Sequence, residues 1–138
     1  MKQYKIGYTT GVFDLFHIGH LNILKKAKEQ CEYLIVGVST DELVMKYKNK
    51  QPVIPFQERL EIVEGIKYVD AVVPQVDRDK FMAWKLLQFD VMFVGDDWKG
   101  KPLFVQVERQ FAEVGVDIVY FPYTPGVSTT LVKEKVRM

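Results

Sequence analysis

Two histidines stand three residues apart in the stretch GVFDLFHIGHLNILKKAKEQ, which begins at Gly11. His17 and His20 are the only histidines among the 138 residues, and Gly19 directly precedes the second. The N–H groups and the dipole at the start of a helix favour an anion, and glycine lets that anion approach the backbone closely. Two imidazoles beside such a helix start could donate hydrogen bonds to a phosphate. The pattern therefore favours a site for a polyphosphate chain.

A metal site is the alternative interpretation of the two histidines, because residues i and i+3 of a helix share a face. Two ligands are few for a structural zinc ion, and the sequence has no third histidine. A third interpretation is that a histidine packs in the core and binds no ligand. This explains a single histidine better than it explains two histidines three residues apart. We therefore expect no protein-held metal here.

The rest of the chain alternates between strand and helix patterns. Apolar runs predict strands at 4–9, 33–39, 71–74, 91–95 and 117–122, and amphipathic spacing predicts helices from Gly19 and at 56–65, 79–89, 104–115 and 128–136. Residues 40–55 predict a short helical turn followed by a loop. The alternation predicts one domain over 1–138, an α/β fold with a Rossmann-like, doubly wound sheet of about five parallel strands and helices on both faces.

Ligands of such sheets bind beyond the carboxyl ends of the strands, where the strand order switches. The segments after the first, second, fourth and fifth predicted strands are TTGVFDLFHIGH, STDELVMKYKNK, GDDWKGK and YTPGVSTT, and all are polar and rich in glycine or charge. We expect them to converge on one cleft. Lys46, Lys48 and Lys50 are placed to reach over a polyphosphate as mobile charges, and Arg59 could make a forked contact with it.

The composition excludes several classes of function. A net charge of +1 gives no broad field for nucleic acid or for an anionic membrane. No apolar run approaches the about 18 residues of a transmembrane helix, and we expect neither a signal peptide nor membrane insertion. The single cysteine, Cys31, cannot form an internal disulfide, so we expect a reducing compartment, the cytoplasm.

Three segments together resemble the cytidylyltransferases and related small nucleotidyltransferases. HIGH (17–20) resembles the H-x-G-H signature of this family, and GVSTT (126–130) resembles its S-T-T signature at the start of the last helix. VGDDWKGK (94–101) is similar to the corresponding segment of glycerol-3-phosphate cytidylyltransferases. The resemblance covers nearly the whole chain. It implies a homodimeric enzyme that transfers a cytidylyl group from CTP to an alcohol phosphate, glycerol 3-phosphate, with Mg²⁺ as cofactor and pyrophosphate as the second product.

The resemblance also implies roles for individual residues. His17, His20, Lys48 and Arg59 would be catalytic. The nucleotide would be bound by Thr10, Gly11, Phe13, His17, Gly19, His20, Lys50, Gly95, Asp96, Ser128, Thr129 and Thr130, and the acceptor by Lys48, Lys67, Trp98 and Tyr123. Asp14 is expected to order the turn, and Asp14 and Asp96 are the acids expected nearest to the magnesium ion.

Two positions depart from the family pattern, because Lys67 and Tyr123 stand where the family has arginines. The loss of both guanidinium groups keeps ATP open as an alternative nucleotide. Phosphocholine and phosphoethanolamine are alternative acceptors, since Trp84, Trp98, Tyr120 and Tyr123 could supply an aromatic cage. HIGH also occurs in class I aminoacyl-tRNA synthetases, but 138 residues leave no room for an anticodon-binding domain. A nucleotide-binding regulatory module without turnover is the non-enzyme alternative.

Overall fold

The computed structural model describes residues 2–122, and in this range strands and helices alternate along the chain. The strands are β1 (Tyr4–Gly11), β2 (Cys31–Ser39), β3 (Ala71–Gln75), β4 (Val91–Gly95) and β5 (Asp117–Phe121). The helices are α1 (Ile18–Gln30), α2 (Asp41–Lys48), α3 (Phe56–Glu64), α4 (Lys80–Leu87) and α5 (Pro102–Val114), and a 3-10 turn (Asp96–Trp98) follows β4. Within 2–122, no helix has both the length and the apolar character needed to cross a bilayer. The helix predicted at 128–136 lies outside the described residues.

The strands form one parallel sheet in the order β3-β2-β1-β4-β5. The chain runs outward from β1 to β3 and then crosses back to the other side of β1, where it forms β4 and β5. The strand order therefore switches between β1 and β4, and a crevice opens beyond the carboxyl ends of these two strands. The predicted Rossmann-like, doubly wound α/β fold is confirmed.

Helices cover both faces of this sheet, and each face has its own apolar core. Leu24 of α1 and Val63 of α3 are fully buried against one face. Phe111 of α5 is fully buried against the other face, where Phe81 of α4 also packs. Residues 34–38 of β2 and 91–95 of β4 are continuous apolar runs because both faces of the sheet are covered there, as is usual for a parallel sheet.

Helix α2 is longer than the short helical turn that the sequence predicts. The Oγ1 atom of Thr40 caps the helix by accepting a hydrogen bond from the backbone N–H of Leu43 at 3.2 Å. Lys46 and Lys48 lie in the last turn, where cations are favourable to the helix dipole. Asn49 ends the helix in the left-handed conformation with φ of 54°. The two lysines are therefore carried by a helix instead of a mobile loop.

Candidate functional site

A cleft of about 320 Å³ opens at the carboxyl ends of β1 and β4, where the strand order switches. This volume is within the range of small-molecule sites. The predicted site residues that line the cleft are Thr10, Gly11, Phe13, His20, Lys48, Gly95 and Trp98. The segments after β1, β2 and β4 thus converge as the sequence predicts. The segment after β5 begins at residue 123 and lies outside the described residues.

His17 and His20 cap the first turn of α1 with their own side chains. The Nδ1 atom of His17 accepts a hydrogen bond from the backbone N–H of Gly19 at 3.1 Å. The Nδ1 atom of His20 accepts a hydrogen bond from the backbone N–H of His17, also at 3.1 Å. A ring nitrogen that accepts a hydrogen bond carries no proton, so each neutral imidazole has its proton on Nε2. Each ring thereby retains an Nε2–H group as a donor.

The two imidazoles are half-buried and stacked on each other, and the His20 ring also packs against phenylalanine rings. The imidazole centroids are 3.9 Å apart, and His20 packs against Phe13 at 5.4 Å and Phe16 at 5.1 Å. Burial lowers the pKa of His20 to about 4, with a further decrease from His17 and an opposing effect of the Asp14 carboxylate. Burial also lowers the pKa of His17. Both rings are therefore mostly neutral at pH 7 and offer hydrogen bonds without charge.

The turn that leads into α1 has an unusual backbone. Phe13 and Leu15 have φ of 55° and 49°, a region that bulky side chains rarely adopt and that costs about 1–3 kcal/mol per residue. Asp14 lies between them, and its two carboxylate oxygens accept hydrogen bonds from the backbone N–H groups of Val53 (2.8 Å) and Ile54 (2.9 Å). Asp14 therefore orders this turn, as expected, by joining it to the loop before α3.

Arg59 corrects a prediction, because it is fully buried and does not line the cleft. Its Nη1 atom donates hydrogen bonds to the backbone oxygens of Val12 (2.7 Å) and Ser39 (2.8 Å), and its Nε atom donates to Ile54 (2.8 Å). Its Nη2 atom is paired with the Oδ1 atom of Asp41 at 2.6 Å. The guanidinium therefore joins the protein segments around the cleft, and the predicted forked contact with phosphate does not fit this geometry.

Several other predicted residues lie near the cleft without lining it. His17 and Gly19 lie at the start of α1, next to His20, which does line the cleft. Lys50 is exposed beyond the end of α2. Asp96 is exposed in the 3-10 turn, and the following residue, Asp97, lines the cleft in its place.

Lys67 lies at the wrong edge of the sheet for the predicted acceptor contact. It precedes the start of β3 at Ala71, so it belongs to the amino edge, whereas the cleft opens at the carboxyl edge. Its ammonium group is exposed and lies over the ring of Tyr68, 5.3 Å from the centroid. The remaining predicted residues are outside the described part of the chain: Tyr123, Ser128, Thr129 and Thr130.

The segment after β3 supplies cationic residues that the sequence pattern did not single out. Arg78 and Lys80 both line the cleft, and the Nζ atom of buried Lys80 donates a hydrogen bond to Oγ1 of Thr10 at 3.4 Å. Burial lowers the pKa of Lys80 to about 8, and the nearby charge of Arg78 lowers it further while Asp77 opposes this change. Ligands of such sheets bind beyond the carboxyl ends of the strands, and this rule also applies to β3. The rule could have identified Arg78 and Lys80 from the sequence.

The sequence is similar to known proteins over most of its length. A family model described as cytidylyltransferase-like matches residues 8–135, which is nearly the whole chain. The chain belongs to the cytidylyltransferase-like family. Glycerol-3-phosphate cytidylyltransferase of Bacillus subtilis (strain 168) is 37% identical over 129 residues, covering 93% of this chain and 94% of that relative. FAD synthase of Pyrococcus abyssi (strain GE5 / Orsay) is 34% identical over 114 residues, covering 82% of this chain and 77% of that relative.

A solved structure supports the same fold for this cytidylyltransferase-like chain. The lipopolysaccharide core biosynthesis protein from Thermoplasma volcanium GSS1 superposes with a TM-score of 0.72 at 23% sequence identity. The similarity covers 88% of this chain and 97% of that protein. At this level of identity it shows the shared architecture of the sheet and its helices.

The buried position of Arg59 predicts a large loss of stability when its guanidinium is removed. In Arg59→Met, the Asp41 carboxylate and the backbone oxygens of Val12, Ser39 and Ile54 lose their partner. The main cost is that three backbone oxygens lose the donor that the buried guanidinium supplied, while the Asp41 side chain is 31% exposed and regains water, so we expect the free energy of unfolding to fall by about 3 kcal/mol. Chemical denaturation monitored by circular dichroism measures this change.

Arg109→Met is the matched control, because Arg109 is exposed on α5 and does not line the cleft. This substitution at the surface should change the free energy of unfolding by less than about 0.5 kcal/mol. Equal stability of the two variants would show that Arg59 does not hold these segments together.

Proposed function

We propose that this cytidylyltransferase-like protein transfers a cytidylyl group from CTP to glycerol 3-phosphate, producing CDP-glycerol and pyrophosphate. The observation that carries the proposal is the helix start capped by His17 and His20, beside a cleft with Lys48 and Lys80 on its wall. Such an arrangement suits a polyphosphate and a second anion. The choice of substrates is supported by the similarity to glycerol-3-phosphate cytidylyltransferase over 93% of the chain.

The proposed reaction is a direct displacement at phosphorus. An oxygen of the glycerol 3-phosphate attacks the α-phosphorus of CTP, and the bond from that phosphorus to the bridging oxygen of the β-phosphate breaks. The electron pair of that bond leaves with pyrophosphate. A phosphomonoester has a second pKa of roughly 6, so the nucleophile is already anionic near neutral pH and needs no general base. The protein must instead position two anions and stabilise the charge of the transition state.

The residues of the cleft divide these tasks. The Nε2–H groups of His17 and His20, at the positive end of the α1 dipole, donate hydrogen bonds to the nucleotide phosphates. The ammonium of Lys48 neutralises phosphate charge from the end of α2. The buried ammonium of Lys80, held beside Thr10, takes the phosphate of the acceptor, because a dianion there would offset its unfavourable burial. Ser128, Thr129 and Thr130 remain predicted phosphate contacts.

Magnesium is a further part of this proposal, since Mg²⁺ usually binds substrate phosphates, keeps several waters and needs few protein ligands. Within residues 2–122, no cluster of three or more histidine, cysteine or acidic residues is suited to hold a metal. The carboxylates that line the cleft are Asp14 and Asp97, and both oxygens of Asp14 already accept backbone hydrogen bonds. These residues fit an ion that the nucleotide carries, with Asp97 as its protein contact, and bound Mg²⁺ would withdraw charge from the phosphates.

A substrate panel tests the proposed reaction. Pyrophosphate release is measured with Mg²⁺ for CTP, ATP, GTP and UTP, each combined with glycerol 3-phosphate, phosphocholine and phosphoethanolamine. We expect release with CTP and glycerol 3-phosphate to be much faster than release with every other pair. The similarity to FAD synthase, whose product contains an adenine nucleotide, makes ATP the most informative competing nucleotide.

Each other outcome of the panel contradicts a definite part of the proposal. Release with ATP and not CTP would replace the nucleotide, and release with CTP and phosphocholine would replace the acceptor. Nucleotide binding without pyrophosphate release for any pair would favour a regulatory module over an enzyme.

The two histidines predict a loss of turnover that can be separated from a loss of folding. His17→Asn keeps a good N-cap residue, and His20→Gln keeps a side-chain acceptor at the third helical position, so α1 retains its cap. When the amide oxygen caps the helix, the amide N–H groups do not lie where the imidazole Nε2–H groups lie, so we expect kcat to fall at least about a hundredfold, or about 3 kcal/mol of transition-state stabilisation. Steady-state kinetics and thermal denaturation are measured on the same samples. Near-normal kcat in both folded variants would refute the role of the pair.

The lowered pKa of Lys80 predicts an alkaline limit for acceptor use. The ammonium loses its charge as the pH rises through about 8, so kcat/KM for glycerol 3-phosphate should fall above that pH. The guanidinium of Lys80→Arg stays charged in this range, and its alkaline limit should move to higher pH. An alkaline limit near pH 8 in both proteins would assign the titration to another group.

A further inference from the structure

Arg78 lies between two aromatic rings at the cleft. Its Cζ atom is 4.8 Å from the centroid of the Tyr47 ring and 5.9 Å from the centroid of the Trp98 ring. The three side chains are half-buried and line the cleft. They come from three different segments: Tyr47 from α2, Arg78 from the segment after β3, and Trp98 from the 3-10 turn after β4. These contacts therefore join three segments of the chain across the site.

The guanidinium of Arg78 has few partners other than these rings. The ion pairs found among residues 2–122 are Lys28–Asp70 and Arg59–Asp41, and Arg78 takes part in neither. A guanidinium presents its flat faces to aromatic rings, while its five N–H donors lie around its edge. Packing against Tyr47 and Trp98 thus leaves the donors available to an anion or a hydroxyl group in the cleft.

The same rings are the groups that would recognise a cationic acceptor. Proteins bind quaternary ammonium groups on the faces of tryptophan and tyrosine. In this cleft, those faces already carry the protein's own cation, and Lys80 adds a second positive charge on the same wall. An acceptor with a cationic headgroup would have to displace Arg78 from the rings and would meet two like charges.

The other aromatics considered for such a cage lie elsewhere. Trp84 packs in the core between α4, α5 and the sheet. Tyr120 donates a hydrogen bond from its hydroxyl to Glu108 at 2.7 Å, and neither it nor Trp84 lines the cleft. Of these aromatics in the described part of the chain, Trp98 alone reaches the cleft, and Arg78 occupies its ring.

We propose that Arg78 determines acceptor specificity: held by Tyr47 and Trp98, it excludes alcohol phosphates with a cationic headgroup and favours those with an uncharged, hydroxylated one. The edge of the guanidinium donates hydrogen bonds to oxygens of the acceptor, and its charge repels an ammonium group. This inference rests on the proposed function, since it concerns the acceptor of the same reaction.

Acceptor discrimination in Arg78→Gln tests this inference. The measured quantity is the ratio of kcat/KM for glycerol 3-phosphate to kcat/KM for phosphocholine, with CTP saturating. We expect the substitution to lower this ratio at least tenfold, through weaker use of glycerol 3-phosphate and stronger use of phosphocholine. Arg109→Gln, a change at an exposed residue away from the cleft, should leave the ratio unchanged. An unchanged ratio in Arg78→Gln would overturn the proposal.

Arg78→Lys separates the charge from the flat shape of the side chain. It keeps a cation near the rings, so we expect it to retain most of the discrimination against phosphocholine. A loss as large as that in Arg78→Gln would show that charge is not the cause and would also overturn the proposal.

A binding measurement distinguishes failure of this inference from failure of the proposed function. The chain has two tryptophans, so Trp84→Phe leaves Trp98 as the only one, next to Arg78. The fluorescence of Trp98 is measured while glycerol 3-phosphate or phosphocholine is added. The titration is done on Trp84→Phe and on the same protein that also carries Arg78→Gln. We expect at least tenfold tighter binding of glycerol 3-phosphate with Arg78, and at least a tenfold smaller preference with glutamine. Absence of turnover in the wild type refutes the proposed function, whereas an unchanged preference refutes the role of Arg78.

Discussion

The guanidinium of Arg59, which is fully buried, constrains the segments that surround the cleft. It binds the backbone oxygens of Val12 after β1, Ser39 at the end of β2 and Ile54 before α3, together with the carboxylate of Asp41 at the start of α2. A buried charge is tolerated only when its hydrogen bonds are satisfied, so none of these segments can move away without exposing or orphaning it. The position of the strand ends relative to one another depends on this one group.

The strained turn before α1 depends on the same connections. Phe13 and Leu15 keep left-handed backbone angles because Asp14 between them is bonded to the loop before α3, which Arg59 also binds. The turn in turn sets the position of His17, where α1 begins. The strained backbone thus lies where phosphate is proposed to bind, and the partly buried hydrogen bonds of Asp14 and Arg59 compensate for its unfavourable energy.

The features that depend on local sequence pattern, the sheet and the place of the cleft, could be predicted from the sequence. The features that depend on how side chains pack together could not. Alternating apolar runs and helical spacing specified the parallel sheet, and the spacing of the histidines located the cleft. The role of Arg59 was not predictable, because a guanidinium suits both a phosphate and backbone oxygens, and burial alone decides between them. Lys67 was assigned to the acceptor by the resemblance alone, although the strand predicted at 71–74 already places it before β3, at the amino edge of the sheet. Arg78 and Lys80 lie in the charged run DRDK, which resembles a solvated turn until α4 buries the lysine.

The neutral histidine pair has a consequence for the response of the cleft to ionic strength. Salt screens interactions between exposed charges beyond a Debye length of about 8 Å at physiological concentration, but it has little effect on hydrogen bonds from uncharged donors. In the proposed function, exposed Lys48 attracts a polyphosphate less strongly as salt is added, whereas His17 and His20 would donate as uncharged groups and Lys80 is buried. In the proposed function, the attraction of a nucleotide from solution therefore depends on the salt concentration. Its position within the cleft depends on contacts that salt barely changes.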